Sequence, residues 1–127
     1  MPEDAIAYLM EDSRRDCGYA RWFLSEGVYP KSISNSYYAA FYAAKALLLK
    51  LNIRAGSHKS VHAAIETAID QGSLSIDWRH LLEVLHSRRN QAVYRYARRD
   101  WTLQEAEEAL TMAEGFVKEV ESILAGR

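Results

Sequence analysis

The groups of this chain best suited to chemistry are concentrated in Arg88-Arg89-Asn90-Gln91-Ala92-Val93-Tyr94-Arg95-Tyr96. Planar guanidiniums match phosphate geometry well. The segment closes a helix expected from Asp77 to Tyr96, whose apolar face is Leu81, Leu82 and Leu85. At about 100° per residue, Arg89 falls on the face of Leu82 and Leu85. A guanidinium there needs a partner, a wet cleft or a second chain, because burying it alone is costly. Arg89 is therefore the first candidate for binding an anion, with Arg88 and Asn90 beside it. The other reading is a helix C-terminus that favours cations and is salt-bridged to the glutamates of the following helix.

Other chemistry is sparser. His58 and Lys59 open a helix and could bind a phosphate there, or simply be solvated at a helix start. His62 follows His58 at a spacing that can ligate zinc, but no third ligand accompanies the pair, and no metal or cofactor is expected. His86, Asn90 and Tyr94 line one strip of their helix, next to Arg89, Val93 and Tyr96. Tyr37, Tyr38, Phe41 and Tyr42 form an aromatic patch that reads as core rather than as a base-stacking surface. Trp22, Trp78 and Trp101 read as packing anchors. The sequence contains no glycine-rich phosphate loop, no serine nucleophile elbow and no usefully spaced carboxylate pair.

The elements that must position these groups are helical. The first should span Pro2 to Ser25, and a second Lys31 to Asn52, with Ala39, Ala43 and Ala46 small enough for close packing. Ser57 should cap a short third helix from His58 to Asp70. The arginine-bearing fourth helix follows, and Thr102 should cap a fifth through Leu124. With no alternating strand pattern or linker, residues 1–127 read as one all-α domain. The expected form is an antiparallel up-and-down bundle of four long helices and one short one.

A net charge of −1 removes any bulk electrostatic case for nucleic acid or membrane binding. The distribution is uneven, however. Six arginines face one acid between Arg79 and Arg99, and six glutamates face one lysine between Trp101 and Leu124. Cys17 stands alone, so no internal disulfide forms. No secretory leader or membrane-spanning run is recognisable, which makes a cytoplasmic protein without membrane contact the expectation.

Several of these landmarks occur together in a known family. Ser36-Tyr37-Tyr38-Ala39-Ala40-Phe41-Tyr42-Ala43-Ala44-Lys45-Ala46, His58-Lys59, Arg89-Asn90 through Tyr96 and the alanine- and glutamate-rich last helix resemble a HEPN domain over nearly the whole chain. The resemblance is to the small stand-alone prokaryotic group associated with nucleotidyltransferases. That family carries an arginine, a short spacer and a histidine, often as Arg-Asn-x-x-x-His-x-Tyr. Arg89, Asn90 and Tyr96 match it, and Tyr94 stands where the histidine belongs.

The resemblance implies a homodimer in which two motifs meet. In ribonuclease members the arginine holds the phosphoryl charge and the histidine moves protons, without metal. Tyrosine is protonated at neutral pH, so Tyr94 is a poor substitute, and His86 is the other proton carrier near Arg89. Other members pair with a small nucleotidyltransferase as a toxin and antitoxin, and in some the partner modifies the tyrosine corresponding to Tyr96. Three readings follow: an RNA- or nucleotide-binding homodimer partnered with a nucleotidyltransferase, a metal-independent endoribonuclease toxin, and a purely structural interaction bundle.

Overall fold

Helical periodicity runs through most of the chain, and the places where the backbone must leave it set the architecture. A computed structural model describes residues 1–94 and 100–126. It contains α1 (Pro2–Ser25), α2 (Tyr29–Lys50), α3 (His58–Asp70), α4 (Leu81–Val93) and α5 (Leu103–Leu124). No strand occurs among the described residues, and the helices form the all-α bundle that the pattern predicts. None of the helices searched is long and apolar enough to cross a membrane.

Local chemistry explains the ends. Prolines sit in the first turns of α1 and α2, where the missing N–H would have had no helical partner. Ser57 accepts from the Ser60 amide at 3.1 Å. Thr102 and Glu105 cap α5 reciprocally, the Glu105 carboxylate accepting from the Thr102 amide at 3.0 Å.

Two helices differ from expectation in their bounds. α2 begins at Tyr29 and stops at Lys50, because Asn52 has φ of 60°, which a right-handed helix cannot include. α4 begins at Leu81 rather than Asp77, and it stops at Val93, short of the expected Tyr96, because Tyr94 already has extended backbone. Ile76–Trp78 form a single 3-10 turn, and His80 takes φ of 64° before the helix starts.

α2 is the central element and packs against the other four helices. Toward α1 and α5 it presents small residues, and Ala39, Ala43 and Ala46 are wholly buried. Backbones approach closely there. Ser13 Oγ donates to the Ala39 carbonyl at 2.7 Å, and Ser32 Oγ to the Ala20 carbonyl at 2.8 Å. The Asp16 carboxylate is also buried, where it accepts from Asn35 Nδ2 at 3.0 Å. Desolvation raises its pKa above the ordinary carboxylate value.

Trp101 and Trp78 pack on the core, but Trp22 does not anchor it. Trp22 is 56% exposed, roughly opposite the α1 stripe of Met10, Ser13, Cys17 and Ala20 at about 100° per residue. Trp78 meets Phe116 edge-on at 5.8 Å and lies against Gly115 of α5. A Cβ on Gly115 would sit 2.8 Å from the indole Cη2, so only glycine leaves room for the ring. Glu119 Oε2, one turn on, accepts from the Ser75 amide at 3.0 Å.

Glu66 of α3 ties down the start of α4. Its two oxygens accept from Arg79 Nη1 at 3.0 Å and from the His80 amide at 2.8 Å. The strap fixes α3 relative to α4.

Candidate functional site

Three helices converge on Tyr37. Its side chain is wholly buried on α2, and its hydroxyl lies 2.6 Å from His58 Nδ1 and 2.9 Å from His62 Nε2. Both histidines belong to α3, one turn apart on one face. His86 of α4 completes the group by lying flat against His58, with ring centroids 4.9 Å apart and planes within 1°. Phe41 covers His58 at 4.5 Å, while His62 stands nearly perpendicular to His86 at 5.2 Å.

Arg89 is one turn beyond His86. Its guanidinium lies over the Tyr38 ring at 5.3 Å, and Nη1 donates to Asn90 Oδ1 at 3.0 Å. Nε is buried with no hydrogen-bond partner among the described residues. A buried donor of this kind is costly unless a ligand or solvent answers it. Lys45 of α2 extends over Phe41 at 5.7 Å, on the same corner.

Burial and mutual proximity hold the imidazoles neutral. His62 is driven to a pKa of about 4, first by desolvation and then by His86 and His58. His58 is lowered by burial, Arg89 and Lys45, and His86 by burial, His58 and Arg89. Burial pushes the Tyr37 phenol upward, so it stays a hydroxyl. The cluster opens on one side into a depression of about 410 Å³ lined by Lys59, His62, Ala63, Glu83 and His86.

The structure gathers some of the sequence candidates and separates others. Arg89, Asn90 and His86 are together, and His58 joins them from α3. Arg88 turns the other way, its Nη1 3.7 Å from Glu108 of α5, an ion pair without a hydrogen bond among the described residues. The predicted pairing of arginines with α5 glutamates is thus realised at Arg88, while no such pair forms at Arg89 among the described residues. Tyr94 ends α4 with extended backbone and is 47% exposed. Tyr96 lies outside the described residues, as do Arg95, Arg98 and Arg99.

His58 and His62 face Tyr37, and no group of three potential metal ligands is found among the described residues. Sequence reasoning missed Tyr37 as the hub. The available signal was a histidine pair one helical turn apart, read only against metal chemistry.

The fold resembles the crystal structure of TT1696 from Thermus thermophilus, with a TM-score of 0.80 at 24% identity over 92% of this chain and 96% of that one. A UPF0332 protein of Gloeobacter violaceus is 42% identical over 50 residues, which are 39% of this chain and 40% of that protein. The HEPN domain family model matches residues 6–123. The chain belongs to the HEPN domain family.

Proposed function

We propose that the protein binds RNA or a nucleotide through Arg89, as a homodimer and as the partner of a small nucleotidyltransferase of toxin–antitoxin type. The carrying observation is the Arg89 guanidinium, clamped by Asn90 and Tyr38 yet with a buried Nε that no described residue answers. Family membership supports the nucleotide-related class of ligand. Asn90 holds the guanidinium in plane, and Arg88, engaged with Glu108, contributes less. Tyr96 is the residue a partner enzyme would modify.

Binding of a labelled unstructured RNA and of AMP to wild type and Arg89→Ala tests this reading. The substitution should weaken both ligands at least tenfold, and added salt should weaken RNA binding in wild type. Unchanged affinity in Arg89→Ala would sink it. Light scattering at micromolar concentration should give twice the 14.5 kDa chain mass.

The ribonuclease reading is favoured by one observation, the two imidazoles of His86 and His58 beside Arg89. Cleavage of one unstructured RNA in EDTA by wild type, Tyr94→His and His86→Ala separates the cases. We expect weak wild-type cleavage that rises in Tyr94→His, since a positioned general base contributes a factor of about 10² to 10⁴. Robust cleavage lost in His86→Ala would instead make His86 the proton carrier.

A further inference from the structure

The hydrogen count at Tyr37 restricts what the cluster can do. One hydroxyl hydrogen meets two imidazole nitrogens, at 2.6 and 2.9 Å. One nitrogen must donate and the other must accept. If His58 donates from Nδ1 and His62 accepts at Nε2, the Nε2 lone pair of His58 stays outside the network. A proton added there makes an imidazolium without breaking or turning a hydrogen bond. A second proton, on His62, would strip the Tyr37 O–H of its acceptor. His62 is also the more deeply placed ring, 8% exposed. In this tautomer the arrangement has room for one extra proton, on His58 Nε2.

The charges around that outer nitrogen are positive. Arg89 and Lys45 both bear on His58, and neither forms an ion pair among the described residues. Tyr38 carries Arg89 on its face. Lys59 and His86 line the adjoining depression. Glu83 is the acid there. It lies 3.5 Å from His80 Nδ1, and its field acts on His62. A second cation on His58 is unfavourable in such a setting until an anion of more than one charge arrives.

We propose that this cluster seats a phosphate monoester, the terminal phosphate of a nucleotide or RNA end, and that His58 takes one proton from solvent as the dianion docks. The inference rests on Arg89 being the anion anchor. No bond to phosphorus forms or breaks, and the balance is one solvent proton moving to His58 Nε2. Tyr37 and His62 are positioning residues that fix the tautomer of His58. A phosphodiester carries a single negative charge and needs Arg89 alone. Proton uptake therefore distinguishes a strand end from a strand interior.

Calorimetric titration at pH 7 in buffers of different ionisation enthalpy tests this, with AMP, inorganic phosphate and 3′,5′-cyclic AMP as probes. A phosphomonoester is mostly dianionic at that pH, because its second pKa is about 6. AMP should bind with net proton uptake, and the cyclic diester with none. Inorganic phosphate should bind more weakly and with a smaller net uptake, because much of it still carries a second proton at pH 7 and sheds it on docking. His58→Gln should abolish the uptake and weaken AMP about tenfold, the effect of losing one charge-assisted hydrogen bond, while sparing the cyclic diester. His62→Gln should keep the uptake, because the amide oxygen can still accept from Tyr37.

If His58→Gln fails to fold, the ring-proton NMR titration of His58 in wild type serves instead, and its midpoint should rise with AMP but not with the cyclic diester. Equal binding of AMP and the diester, both abolished by Arg89→Ala and neither with uptake, overturns the inference and leaves the anion-anchor reading intact. Failure of all three probes to bind overturns both.

Discussion

Where α2 meets α1 and α5, the interface is built of alanines and of hydroxyls that reach a neighbouring backbone. Where it meets α3 and α4, it is built of rings that can carry protons. The two regions share one helix, so the difference comes from side-chain chemistry and not from fold. Close approach of backbones at Ala39 and Ala43 leaves no volume for a ligand. The wider gap at Tyr37 is filled by groups whose state depends on what lies outside them. The first region contributes packing, and the second holds the groups whose protonation depends on pH.

The comparison breaks most sharply if the apolar side is hollowed. Phe116 is wholly buried on α5 against Trp78. Phe116→Ala should cost about 3–5 kcal/mol, by transfer loss plus the cavity left behind. Urea denaturation checks it, and a loss below about 1 kcal/mol would show that the two regions do not divide the work in this way.

Acid should act on the other region. An imidazole made less basic by folding binds fewer protons folded than unfolded. Its stabilisation is therefore complete above the ordinary 6.5 and is lost as pH falls from there toward about 4 for His62. A displacement of that size in the buried His62 corresponds to an effect on the order of 3 kcal/mol. His62→Gln should flatten the stability profile between pH 6.5 and 4. A profile that keeps its full slope in the variant would place the acid sensitivity elsewhere.

The smallest effect sharpens the contrast from the apolar side. Asp16 has its carboxyl raised by burial, so its contribution is present at low pH and declines as pH rises through its folded value. Asp16→Asn keeps an acceptor for Asn35 and removes the buried charge. Its melting temperature at pH 7 should equal or slightly exceed that of wild type. A clear fall would mean that the carboxylate itself is required between α1 and α2.

Much of this was legible in the sequence. The caps at Ser57 and Thr102, the alanine stripe of α2 and the half-buried position of Arg89 follow from periodicity and residue chemistry. The late start of α4 was not, because nothing in the type of His80 announces a left-handed backbone. The meeting of Tyr37, His58, His62 and His86 was not either. A helical wheel gives the face a residue occupies but not which other face will be laid against it. Trp22 was misread for a related reason, since ring size suggests burial while its angular position on α1 denies it.

Gly115 has a consequence far from its own surroundings. The absent methyl group lets the Trp78 indole drop into a notch of α5, which seats α5 close against the segment that precedes α4. Two turns back along the helix, Glu108 then comes level with Arg88 and engages its charge, while Arg89, the next residue, points toward α2 instead. Two chemically identical neighbours are thus held apart, one against an acid of α5 and the other over a ring of α2.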